Sequence, residues 1–165
     1  MANHQKPRIR IIGVGNPFRG DDDAGLLAAR LLKDMGLDSS MIAEHSGEGA
    51  SLMEMWKGAD AVILIDAVSS GSAPGTIHRL EPVRQPLPAQ MFHASTHAFS
   101  LPHAIEMARA LDQLPPRLLI FGIEGRNFEA GAELSPEVSE ALPQVAALIV
   151  KEIDSLMNGG IAQGD

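Results

Sequence analysis

The sequence predicts a three-layer α/β/α protein built on a five-stranded, mostly parallel sheet with one antiparallel strand. Three observations carry that expectation. Short β-branched runs alternate with stretches of helical period along the chain. One of those runs, Ala59-Asp60-Ala61-Val62-Ile63-Leu64-Ile65-Asp66, is apolar nearly throughout, as in a central strand covered by helices on both faces. The link that follows it is too short to hold a crossover helix, so the next strand, Thr76 to Leu80, runs antiparallel to its predecessor and is expected to form a hairpin with it.

The elements follow in order. Ile9, Ile11, Ile12 and Val14, bounded by glycines, read as a buried first strand. A helix then runs from about Asp22 to Met35, with Leu26, Leu27, Ala29, Leu31 and Leu32 at its apolar positions. Ser40 to His45 is a short second strand, punctuated by Gly47-Glu48-Gly49, and Ala50 to Lys57 is a short helix carrying Leu52 and Trp56. The run Ala59 to Asp66 is the third strand and stops at an aspartate; Thr76 to Leu80 is the fourth. Pro82, Pro86 and Pro88 keep Glu81 to Gln90 irregular. Ser95-Thr96-His97 precede a helix from about Ala98 to Leu111, where Pro102 is tolerable in the first turns. Arg117 to Ile123 is the fifth strand. Ser135-Pro136-Glu137 opens the last helix, with Ser135 as N-cap and Pro136 at the first helical position. With no repeat and no linker, residues 1–165 read as one domain, frayed at about 1–7 and 158–165.

Composition narrows the function. A net charge of -8 argues against a nucleic-acid or anionic-membrane surface. There is no cysteine, which excludes disulfides and thiolate metal sites and leaves oxygen and imidazole as the only metal donors. The opening MANHQKP lacks the apolar core of a signal peptide, and no run is long enough to span a bilayer, so a cytoplasmic location is expected.

The candidate site lies in the loop between the first strand and the first helix. Open α/β sheets collect ligands in the crevice beyond the carboxyl ends of their strands. Gly13-Val14-Gly15 suggests a dinucleotide fingerprint, but Phe18 stands where its third glycine is needed. The consecutive Asp21, Asp22 and Asp23 would also repel a pyrophosphate, which wants bare N–H groups at a helix N-terminus. Those carboxylates suit the positive end of the helix dipole or a cation, and three is more than capping needs. Asp66 closes the central strand and His97 opens a later helix, so the topology brings Asp22, Asp66 and His97 toward one place. Two carboxylates and an imidazole are a sensible open-sided set for a divalent transition metal. Each residue also has an ordinary structural use: Asp66 could cap a turn, His97 could cap a helix or face solvent, and His93 and His103 are equally available. Asp23, Asp60, His45 and Glu124 read as surface or supporting residues. No Gly-x-Ser-x-Gly elbow and no His-Glu-x-x-His motif is present.

At these residues the chain resembles the maturation endopeptidases of nickel-iron hydrogenases. Gly13-Val14-Gly15-Asn16 followed by Asp21-Asp22 and Gly25 resembles that family's N-terminal signature. Ile65-Asp66-Ala67 resembles its central Asp-Ala element, and Ser95-Thr96-His97 its Ser-x-His element. Phe121-Gly122-Ile123-Glu124 and Leu134-Ser135-Pro136-Glu137-Val138 are similar to the late part of the pattern, so the resemblance spans about Ile11 to Ile153. Asp23 occupies a position often small in relatives, and Asp22 is chosen among the three aspartates by its distance from Asn16 and Gly25. The resemblance implies a hydrolase: a monomeric endopeptidase that removes the C-terminal extension of a hydrogenase large-subunit precursor after nickel insertion. It implies metal contact by Asp22, Asp66 and His97, with Asp22 and Asp66 catalytic and the water-activating group left open between a carboxylate and the metal. It further implies no permanently bound cofactor, the nickel being recognised within the substrate. Two other classes stay in view, a non-catalytic nickel-binding chaperone and another small-molecule hydrolase on this fold, such as an aminopeptidase or nucleoside phosphorylase relative. Loops Gln85 to Ala94 and Gly125 to Glu133 are expected to select the substrate.

Overall fold

In a computed structural model, which describes residues 5–92 and 99–159, the chain alternates strand and helix almost throughout. The elements are β1 (Ile9–Val14), α1 (Ala24–Asp34), β2 (Ile42–His45), α2 (Gly49–Trp56), β3 (Ala61–Val68), β4 (Ile77–Leu80), α3 (Leu101–Ala110), β5 (Arg117–Glu124) and α4 (Pro136–Gly159). A single 3₁₀ turn, Gly20–Asp23, leads into α1. The five strands lie in the order β2-β1-β3-β5-β4, parallel except for β4.

Period-two alternation along the strands separates two cores, one on each face of the sheet. Ile9, Ile11, Ile63, Ile65, Leu119 and Phe121 point to one side, where α1 and α4 cover them with Leu32, Val145 and Ile149. Ile12, Val14, Val62, Leu64, Leu118 and Ile120 point to the other, against α2 and α3 with Leu52, Trp56, Leu101 and Ile105. The result is the three-layer α/β/α arrangement, with every residue of β3 buried.

Three sequence expectations are corrected. The central strand does not stop at Asp66 but continues through Ala67 and Val68, because Asp66 pairs with Gly122 inside the ladder to β5. The fourth strand has the expected direction but the wrong neighbour: β4 pairs antiparallel with β5, which inserts between it and β3, so no hairpin forms. The helix expected from Ala98 begins at Leu101, with Ser100 at its N-cap. His97 itself, with His93, Ser95 and Thr96, lies outside the described residues. The C-terminal helix runs to Gly159, where the described residues end.

Close backbone packing explains the glycines of the first motif. A Cβ on Gly25 would strike the carbonyl oxygens of Val14 and Ile65, and one on Gly13 would strike the carbonyl of Gly25. The start of α1 therefore lies directly on β1 and β3, which is what sets the loop before it over the strand ends. Gly25→Ala is expected to destabilise by about 1–3 kcal/mol in urea unfolding through this clash. In an uncrowded helix the same change would stabilise by about 1 kcal/mol, so the sign of the shift is the check.

Candidate active site

β1 leads through α1 to β2 on one side of it, and the chain then crosses by α2 to β3 on the other side. The point where the order reverses, between the carboxyl ends of β1 and β3, is where such sheets leave a crevice. Here it is a cleft of about 340 Å³. Its floor and walls are Val14, Gly15, Asn16, Pro17, Phe18 and Asp22 after β1, Ser46 and Gly47 after β2, Asp66 and Ala67 in β3, and Phe92, Leu101 and Pro102. Two of the three residues singled out for metal contact, Asp22 and Asp66, thus share one cleft; the third, His97, is outside the described residues. Among the described residues no group of three metal-ligating side chains forms.

The loop that delivers Asp22 is closed by its own backbone. Asn16 N–H donates to the Asp22 carbonyl at 3.1 Å, and Gly15 has no room for a Cβ because that carbonyl sits against it. The Asn16 side chain accepts from Phe18 N–H at 3.0 Å, an Asx turn that fixes the corner.

Three adjacent aspartates take three unlike positions, because side chains on a 3₁₀ turn with about three residues per turn point roughly 120° apart. Asp21 is fully buried and accepts four hydrogen bonds: Arg126 N–H at 2.7 Å, Asn127 N–H at 3.0 Å, and Ser135 N–H and hydroxyl at 2.7 Å each. Burial pushes its carboxyl up, but the donors from Ser135, Arg126 and Asn127 outweigh it and leave the group below its ordinary value. Ser135 precedes the last helix as expected, yet its hydroxyl donates to Asp21. Asp22 faces the cleft. Asp23 turns toward Arg30 and Glu44, and burial holds its carboxyl above the ordinary value despite the Arg30 charge.

Asp66 is the most perturbed acid. Burial first, and then the charge of Asp22, push its carboxyl well above the ordinary value. Desolvation and a like-charged neighbour act in the same direction here, as they do where a pair of carboxylates titrates together.

The supporting candidates also resolve. His45 Nδ1 accepts from Gly47 N–H at 2.9 Å, so its proton is on Nε2, 2.8 Å from Ser51 Oγ; the ring thereby holds the Ser46-Gly47 wall of the cleft. His103 is taken up at the start of α3, where Nδ1 lies 3.3 Å from Ser100 N–H and the ring stacks on Phe99 at 6.1 Å. Asp60 accepts from Arg8 N–H at 2.7 Å, remote from the cleft. Glu124 is no surface residue: it is 2% exposed and accepts from Ser70 N–H at 2.7 Å, Ser70 hydroxyl at 2.8 Å and Gly71 N–H at 3.1 Å. Of the two loops expected to select substrate, the first contributes Phe92 to the cleft, while Gly125 to Glu133 contributes none of its lining and is packed beneath Asp21 instead. Phe18 is a cleft residue that sequence reasoning misses; its only signal is to stand where a glycine is wanted.

The architecture and the carboxylate-floored cleft at the switch point define the class first, a three-layer α/β/α protein with acidic side chains at its topological switch point. The E. coli hydrogenase maturating endopeptidase HybD superposes with a TM-score of 0.71 over 93% of this chain and 94% of its own, and at 24% identity speaks for the fold alone. The hydrogenase maturation protease HycI of Thermococcus kodakarensis is 25% identical, with a TM-score of 0.67 over 90% of this chain and 94% of its own. The family model described as hydrogenase maturation protease matches residues 27–152, and the chain belongs to that family. The match opens within α1, just after the aspartate turn. The hydrogenase expression/formation protein HupD of Thiocapsa roseopersicina is 27% identical over 139 residues, which are 82% of this chain and 63% of that relative. The chain thus spans less than two thirds of HupD's length. Among the described residues no helix is long and apolar enough to cross a membrane.

Proposed function

We propose that this protein is an endopeptidase that removes the C-terminal extension of a nickel-iron hydrogenase large-subunit precursor after nickel insertion. One observation carries the reading: in a chain of this family, Asp22 and Asp66 come from separate elements and line the same cleft. Nickel enters as part of the substrate. Two carboxylates without thiolates are too few and too hard to retain such an ion alone, and suit one whose other ligands the precursor supplies. His97 completes the set as the imidazole that meets the precursor's metal. The sequence leaves no cysteine to compete for the ion.

Hydrolysis requires that water lose a proton as it attacks the scissile carbonyl and that the departing amine gain one. The Asp22–Asp66 pair supports both halves, since burial and mutual charge make one member hold a proton more readily than an ordinary aspartate. The proton taken from water passes to the pair and returns to the amine as the C–N bond breaks. The reaction runs in the cytoplasm, on a monomeric enzyme with no resident cofactor.

Incubating the purified protein with nickel-loaded and nickel-free precursor tests this by the mass of the product. Loss of the extension from the loaded form only is the expected result. Equal cleavage of both forms would remove nickel sensing. An intact loaded precursor that still delivers nickel would replace the enzyme with a nickel carrier.

A further inference from the structure

We infer that Phe18 is a specificity-determining residue of this cleft: it packs on an apolar side chain of the precursor next to the scissile bond. The inference rests on the endopeptidase reading and adds to it the apolar character of the substrate at that position.

Phe18 is the most exposed large hydrophobic residue among those described, at 78%, and it stands on the rim of the cleft that Asp22 and Asp66 floor. A single exposed apolar residue ordinarily calls for no explanation. This one is held in place on both sides. Its N–H donates to the Asn16 side chain at 3.0 Å, and its carbonyl accepts from Gly131 N–H at 2.9 Å. Pro17, just before it, has its own φ locked by its pyrrolidine ring. The backbone of residue 18 is therefore fixed at the rim, and only side-chain rotation moves the phenyl ring. Both bonds use backbone atoms of residue 18, so folding asks nothing of the ring itself.

The ring also has apolar company. Pro17, Phe92, Leu101 and Pro102 line the same cleft as the two carboxylates. An endopeptidase must seat the chain on either side of the bond it cuts. The carboxylates engage the reacting centre, and an aromatic on a fixed loop offers a rigid apolar contact at low entropic cost. The occupant is accordingly an apolar side chain within the precursor segment that flanks the cut.

Steady-state cleavage of nickel-loaded precursor by the wild type, Phe18→Ala and Phe18→Leu tests this. Phe18→Ala is expected to raise KM about 10–30-fold with kcat nearly unchanged, as for loss of an aromatic anchor. Phe18→Leu should recover most of that loss, and the melting temperatures of all three should agree, since the ring is exposed. An unchanged KM in Phe18→Ala, or a fall in kcat at constant KM, overturns the inference while leaving the endopeptidase reading intact. A wild-type protein that cleaves no precursor overturns both.

Discussion

Asp66→Asn is expected to lower precursor cleavage by about 10²–10⁴-fold and, at the same time, to raise the melting temperature at neutral pH. The first effect follows from losing a proton acceptor at the floor of the cleft. The second follows from the physics of the site. Burial and the Asp22 charge both oppose ionisation of Asp66 in the folded protein, so its carboxyl lies well above the value of about 3.8 it has when exposed. Between those two values the folded state binds more protons than the unfolded one, and stability falls as pH rises. An amide never ionises, so the variant escapes that fall. It also keeps a carbonyl oxygen for the Ala67 N–H that the carboxylate engages. Thermal melts at several pH values between 4 and 8 provide the check. The variant's advantage should be largest at neutral pH and shrink as the pH approaches 4. A variant that melts below wild type at pH 7 would contradict the account.

Asp21→Ala is expected to cost about 3–5 kcal/mol of stability, because several buried donors lose their acceptor at once, far beyond what a surface polar residue contributes. Removal of this carboxylate leaves three backbone N–H groups and a hydroxyl, all drawn from residues 126–135, without their acceptor. Even the isosteric Asp21→Asn is expected to cost about 1–3 kcal/mol. Each carboxylate oxygen receives a donor, one from Ser135 N–H and the other from Arg126, Asn127 and the Ser135 hydroxyl, so an amide must turn its own N–H₂ toward at least one N–H. The pH dependence is opposite to that of Asp66. Because the folded-state value of Asp21 lies below its exposed value of about 3.8, its contribution is complete above that value and is lost as the pH falls through the folded one. Urea unfolding of wild type and Asp21→Asn at pH 7 and pH 3 should therefore show a gap that narrows in acid.

Much of this fold is legible in the letters, and the exceptions have physical causes. Strand and helix identities follow from periodicity, and the buried β3 follows from an unbroken apolar run. The end of β3 is misread because a carboxylate looks like a boundary, whereas Asp66 is kept inside the ladder opposite Gly122, at the edge of the cleft. The neighbour of β4 cannot be read locally, since the strand that separates it from β3 begins only at Arg117. That Asp22 and Asp66 share one cleft is legible because motif spacing and the switch-point rule both lead there. The separate tasks of Asp21 and Asp23 are not, since they depend on the direction of a short turn and, for Asp21, on partners about a hundred positions away. The buried Glu124, which ties down the loop after β3, gives no local sign for the same reason.

The fan of carboxylates on the aspartate turn bears on how relatives can be compared. Three identical letters in a row can be slid against another sequence in several frames with no loss of identity, yet only one frame keeps each acid in its own surroundings. Equal chemistry at neighbouring positions is therefore no reserve of function here. A shift by one residue would exchange a buried cornerstone for an acid that faces the cleft, and no count of matching letters would reveal it.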